Sequence, residues 1–358
     1  MTQPLTDPPA SIAAPLDSTV DLPGVEPTGE ASFHPLIRPR RWVYPLVLAA
    51  LVVVWAGYMS LAGQWGQYDQ NWPMAVTMAG GSFVAGATPM GGAAVSFPVF
   101  TKLLHIPTAQ ARTFGLMIQS IGMVMASLFI LTRGIRFLPE VVVWASLGGF
   151  AGMLLGTYVV VLPDPYPRVL FSLGVASYAV AQVISRWVMK SPPRTSLPAG
   201  RPGTRLALLG VGLGGGFFAA HTGSGVDMMT FILITLAFAV DEKIGTPTSV
   251  LIMALNSVFG FGLHALVSGD IGIVWHYWLV AVPVVAIGAP LGAFFASKVR
   301  RDVLILFTLT LIAVEFLTTL LLVPFTQSML LVSALVVALC ALSFWGMLRY
   351  RRVYIDPA

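Results

Sequence analysis

Apolar residues run through this chain in long blocks, at roughly 42–61, 75–104, 112–131, 141–161, 168–188, 206–240, 246–267, 272–297, 303–323 and 329–348. Most blocks match the roughly 20 residues that a helix needs to cross a hydrocarbon layer. Two do not: 75–104 and 206–240 are longer, and glycine interrupts both. Trp42, Trp55, Trp187, Trp275, Trp278 and Trp345 lie near block ends, where amphipathic rings favour the headgroup layer. The pattern predicts an all-α polytopic membrane protein in which two of the helices are broken.

Composition sharpens this. The chain is 56% apolar and 10% charged, whereas soluble domains carry about 25% charged residues. Mean hydropathy is +0.83. No soluble core hides that much apolar surface, so the solvent is lipid. The formal charge of +5 would suggest a nucleic-acid partner if its residues formed a face. They sit instead in short clusters between apolar blocks, as in membrane loops, and no nucleic-acid partner is expected. The lone Cys340 excludes intrachain disulfides and a cysteine-cluster metal site. No metal and no cofactor are expected.

Residues 1–41 are a different material, rich in Pro, Ser, Thr, Asp and Glu, and predict a disordered tail. No basic residue precedes an apolar region near Met1, so the tail does not read as a signal peptide. Arg38, Arg40 and Arg41 stand directly before the first block and hold the tail in the cytosol.

The two long blocks are copies. GGSFVAGATPMGGAAVSF (Gly80–Phe97) aligns without gaps on GGGFFAAHTGSGVDMMTF (Gly214–Phe231). Downstream, Gln119-Ser120 matches Asn256-Ser257, Gly152 and Gly156 match Gly288 and Gly292, and LFSL at Leu170 matches LFTL at Leu306. Matching order at four places argues against chance. The expected organisation is a cytosolic tail (1–41), a first transmembrane helix with an external loop (42–74), repeat one (75–188), a basic cytosolic linker (189–205), repeat two (206–325), and a last helix with a cytosolic tail (326–358).

Charge decides how the long blocks sit. If each is a single span, the cluster Arg186, Lys190, Arg194, Arg201 and Arg205 falls outside. If each enters, breaks at its glycines and returns, only Lys102, Arg112 and Arg168 lie outside, as the positive-inside rule prefers. Each repeat is then a re-entrant hairpin plus three spans, and the two copies insert with opposite orientation. Inverted repeats with broken helices are a signature of secondary transporters.

Break one reads Gly86-Ala-Thr-Pro-Met-Gly-Gly92 and break two Ala220-His-Thr-Gly-Ser-Gly225. Non-helical backbone at membrane depth persists only where protein or a water-filled cavity satisfies it. A second half-helix beginning near Gly91 or Gly225 would aim free N–H groups at the midplane, an anion site that needs no Lys or Arg. Thr88, Ser96, Thr222, Ser224 and Thr230 add hydroxyls, and His221 could donate to an anion. The alternative is tight packing of small residues. Gln119, Ser120, Asn256 and Ser257 either line the pocket or tie helices together. Asp227, whose counterpart is Ala93, either carries a coupling proton or complements a helix terminus; Glu315, mid-span, invites the same question. His264 and His276 lie near block ends, where interface residence explains them.

The duplicated glycine-rich segments, ARTFGLMIQSIG after the first and GTPTSVLIMALNSVFGF after the second make the chain resemble the TauE/SafE sulfite exporter family, also called the toluenesulfonate uptake permease family. The resemblance covers about residues 75–325. It implies movement of sulfite, sulfoacetate or other organosulfonates, with the loops Thr88–Gly92 (Met90, Gly91 and Gly92 among them) and Thr222–Gly225 (with Gly223 and Ser224) as the substrate region. The expected function is a secondary transporter or channel-like carrier, not an enzyme, that exports a small sulfur oxyanion across a bacterial inner membrane with both termini cytosolic. A monovalent anion leaving a negative cytosol gains about 2.3 kcal/mol per 100 mV without any coupled ion. Uptake would need cotransported protons or sodium, for which Asp227 and Glu315 are the candidates. An intramembrane protease with Ser224 as nucleophile and His264 as base is a remote rival. A scaffold that recruits a partner through the tail is another, and a cation carrier would want more buried carboxylates than these two.

Overall fold

The computed structural model describes residues 41–189, 193–198 and 202–355. The expected disordered tail, Arg38 and Arg40, and part of the 189–205 linker lie outside those residues. Twelve α-helices follow one another, with no strand among the described residues. They are α1 (Val43–Leu61), α2 (Gln67–Ala87), α3 (Ala93–Pro98), α4 (Thr108–Arg133), α5 (Pro139–Leu154), α6 (Tyr166–Val183), α7 (Pro202–Thr222), α8 (Val226–Leu236), α9 (Glu242–Gly262), α10 (Val274–Lys298), α11 (Arg301–Leu322) and α12 (Gln327–Tyr354). Wider π turns extend α3, α5, α6 and α9 to Leu103, Val159, Val188 and Ser268. Nine helical stretches among the described residues are long and apolar enough to cross a membrane. The chain is a multi-pass membrane protein.

Contacts distinguish two ends of the bundle. At one, Arg205 pairs with Glu140, Arg186 with Asp302, and the Leu138 N–H donates to Thr248 Oγ1. Arg194 bridges Val240 there, and Arg133, Lys243 and Lys298 stand at adjoining helix ends. At the other, Trp275 donates to Tyr58, and Tyr158 and Tyr166 bond Ser268 and Ser328. We call these the basic end and the aromatic end.

Both long blocks are interrupted where the glycines lie: Thr88–Gly92 and Gly223–Gly225 are outside helices. The hairpin arms differ from expectation. The arms entering the breaks, α2 and α7, have 21 residues each, or about 31 Å at 1.5 Å per residue, a full membrane thickness rather than half. Helix α2 begins at Gln67, ahead of the expected block, because its first turns are polar. Asp69 there suits the positive end of the helix dipole. The returning arms, α3 and α8, are short.

The helices pair crosswise. Helix α5 lies along α7, and α10 along α2, while α4 packs on α9. Glycine permits the approach: a Cβ at Gly152 would strike Leu213 O, one at Gly156 the Ala220 side chain, and one at Gly292 Phe83 O. The glycine pairs noted in the sequence are therefore close-packing sites.

Helix α10 contains Pro283 and Pro290. A proline removes the N–H that its i−4 carbonyl would accept, here at Leu279 and Ala286. Helix α1 answers both: Trp55 Nε1 donates to Leu279 O at 2.8 Å, and Tyr44 OH donates to Ala286 O at 3.3 Å. A bare carbonyl in hydrocarbon costs several kcal/mol, so these bonds offset that cost at both interruptions of α10.

Lys102 and Arg112 were expected in an external loop. Lys102 instead lies in the π turn after α3, is 8% exposed, and pairs with Glu315 at 2.8 Å. Arg112 lies in α4 and donates from Nη1 to Ala220 O at 2.9 Å. Each charge has a partner far along the chain, which local pattern does not reveal.

Candidate functional site

Polar side chains join the two breaks. Gln119, on α4, accepts the Gly92 N–H at its Oε1 (3.1 Å) and donates from Nε2 to Gly223 O and Gly115 O (2.9 Å each). One carboxamide thus holds the start of α3 and the start of break two. Ser224 makes a second tie, donating to Met90 O at 3.0 Å. Gly91 lies between them with φ +70°, and a Cβ there would meet Gln119 Oε1 and Ser224 Oγ at 2.6 Å and Asp227 Oδ2 at 3.2 Å. Glycine is required at that point for both conformation and space.

The half-helix ends are capped by the chain itself. Gln119 takes the Gly92 amide, and Asp227 Oδ1 takes the Gly225 amide at 3.1 Å. Asp227 is fully buried, and its Oδ2 has no hydrogen-bond partner. Thr222 donates toward Ser224 O and Phe218 O, and the Met90 N–H reaches Thr88 Oγ1. An anion reaching these amides would displace Gln119 or Asp227.

A cavity of about 260 Å³ opens near the basic end and reaches the tip of break one. Gly86, Ala87, Thr88 and Pro89 line it. Tyr178 and Gln182 of α6, Glu242 and Lys243 of α9, and Ala293 and Ala296 of α10 are among its walls. The Tyr178 oxygen accepts from Gln182 Nε2, which leaves the phenolic proton to donate. Gln182 Oε1 is buried without a partner. Sequence reading picked Thr88 but missed Tyr178, Gln182 and Lys243. Six helices contribute to the lining, and no motif within one block signals them.

The other expected residues scatter. Ser96 donates to Gly92 O and Ser120 to Met117 O, each within its own helix or just before it. Asn256 donates to Ile252 O and toward Ser146 Oγ (3.4 Å), while its Oδ1, Ser257 Oγ and Thr230 Oγ1 are buried without partners. His221 lies at the aromatic end, where its Nε2 accepts the Leu162 N–H and lies 2.9 Å from Val160 O. Glu315 sits apart from both breaks, where Oε1 takes bonds from Lys102, Ser172 and Thr319. Ser224 and His264 make no hydrogen bond with each other; His264 pairs with Asp270 at 2.8 Å. The geometry gives a protease dyad no support.

Residues 74–317 match the family model described as "Sulfite exporter TauE/SafE". That span covers both breaks and the residues that line the cavity. No curated protein and no solved structure matches the chain.

Proposed function

The chain belongs to the sulfite exporter TauE/SafE family, a family of membrane transporters, and on that premise we propose that it exports a small sulfur oxyanion through the cavity at the basic end. The carrying observation is that the exposed Lys243 and Thr88, at the tip of break one, line the same cavity. Its volume of about 260 Å³ exceeds the ~30 Å³ share of a single water several-fold. A sulfite or sulfonate would enter with part of its hydration shell, drawn by the Lys243 ammonium. The Tyr178 hydroxyl and the Gln182 amide then offer neutral donors, which suit an anion that must be released again.

By the positive-inside rule the basic end faces the cytosol, which puts the start of α1 and the end of α12 on the same, inner side of a bacterial inner membrane. The crossed pairing of α5 with α7 and α10 with α2 supports an inverted pair of repeats. Helix α2 starts at the aromatic end and α7 at the basic end. The membrane potential then drives a monovalent anion outward by about 2.3 kcal/mol per 100 mV. One observation favours proton-coupled uptake as a second reading: the unpartnered Oδ2 of buried Asp227 could take a proton.

The test is sulfite and sulfonate binding and flux with purified protein in vesicles. Thr88→Val with Lys243→Gln should weaken sulfite binding about tenfold, the loss expected for about one net hydrogen bond. Wild-type affinity in that folded variant would sink the cavity as the binding route.

A further inference from the structure

The cavity at break one has a counterpart at break two that is filled. In the gapless alignment of the two glycine-rich segments, Gly86, Ala87 and Thr88 correspond to Ala220, His221 and Thr222. The register that pairs Gly152 with Gly288 matches Ala296, a cavity wall, with Val160. The register that pairs Gln119 with Asn256 matches Ser249, beside the cavity-lining Val250, with Arg112. The same three elements therefore surround an opening at the basic end and a closed contact at the aromatic end.

The closing groups are specific. Where copy one has a methyl group at Ala87, copy two has an imidazole that is 1% exposed. His221 Nδ1 bonds Phe217 O at 2.8 Å, and Nε2 lies 2.9 Å from Val160 O and accepts the Leu162 N–H at 3.2 Å. It thereby ties the tip of α7 to the segment that leaves α5. Arg112 adds a second tie from α4, donating to Ala220 O at 2.9 Å. A third polar contact, His264 with Asp270, lies within Coulombic reach of Arg112. Two side chains thus join three elements by hydrogen bonds to backbone groups, bonds that entering water can replace.

We propose that His221 and Arg112 form the closed gate of a second access cavity at the aromatic end, the repeat counterpart of the open one. The assignment rests on the reading of the open cavity as the substrate's route. It moves His221 from a ligand of the anion to the plug that keeps the anion from leaking through. Transport then needs the two ends to exchange states, with the α7 tip leaving Val160 and Leu162 as the cavity at break one closes.

Cysteine accessibility tests this in a Cys340→Ala background, with a charged, membrane-impermeant thiol reagent applied to either side of sealed vesicles. Thr88→Cys reports the open cavity and Thr222→Cys its closed counterpart. Thr88→Cys should label from the side of the basic end in every variant, which also reports an intact fold. Thr222→Cys should stay unlabelled while His221 and Arg112 are present. In His221→Ala, and separately in Arg112→Ala, it should label from the side of Leu162 at least about tenfold faster, the factor set by about one net hydrogen bond. His221→Gln, whose amide can still bond the same backbone groups, should stay closed. The gate is overturned if Thr222→Cys labels no faster in either alanine variant, or labels already in the parent. Silence at Thr88→Cys overturns the access route itself and the gate with it.

Discussion

Gly91→Ala is the substitution whose cost can be worked most directly from the geometry. Gly91 has φ +70°, and a non-glycine residue in that left-handed conformation costs about 1–2 kcal/mol. The new methyl would also lie 2.6 Å from Gln119 Oε1 and from Ser224 Oγ, so both side chains must move. That breaks the Gln119 bond to the Gly92 N–H and the Ser224 bond to Met90 O, each worth about 1 kcal/mol net. The sum is about 3–4 kcal/mol, concentrated where the two breaks meet. The neighbouring Gly92→Ala is the control. Its backbone is helical, and its methyl would meet chiefly the flexible Met78 Cε at 3.3 Å, so it should cost under about 1 kcal/mol. Reversible unfolding in mixed micelles, followed by tryptophan fluorescence, measures both. Flux should fall sharply for Gly91→Ala and survive in Gly92→Ala. Equal stability losses in the two variants would refute the reasoning, because the knot would then not depend on Gly91.

Two further outcomes follow from the buried charges. Lys102→Met or Glu315→Gln alone should cost about 3–5 kcal/mol by leaving a buried charge without its partner, and the double change should cost less than either; a double-mutant cycle of unfolding free energies decides this, and additive losses would mean the pair is not coupled. If Asp227 serves only to complement the Gly225 amide, Asp227→Asn should retain substantial flux with little change in its pH dependence, since an amide oxygen still accepts that N–H; loss of proton-driven flux in a folded variant would favour the coupled reading.

What the sequence disclosed divides along the range of the forces involved. The breaks were legible because glycine and proline act on their own backbone, and the interruptions fall at Thr88–Gly92 and Gly223–Gly225 as the composition of those stretches requires. The start of α2 at Gln67 was not, because Asp69 and Asn71 lower the hydropathy of a turn that is still helical. Lys102 read as a loop residue because its partner, Glu315, is 213 positions away. Gln119 read as either pocket or tie, and its bonds to Gly92 and Gly223 link the two breaks. The cavity walls at Tyr178, Gln182 and Lys243 were invisible for the same reason as the ion pair: they meet only after α6 and α9 have packed.

The bonds from α1 to α10 bear on what counts as a self-sufficient unit. The stretch shared with the family, residues 74–317, contains α10 with both its prolines but not the two aromatic donors that answer them. Excised from the chain, that stretch would face lipid with the carbonyls of Leu279 and Ala286 bare. Helix α1 contributes little burial of its own, with Val53 and Val54 each 70% exposed, yet it supplies both donors to a helix more than two hundred positions downstream. Homology and hydrogen-bond completeness therefore do not share a boundary here: the inherited module leaves two of its carbonyls to be answered by a helix outside it.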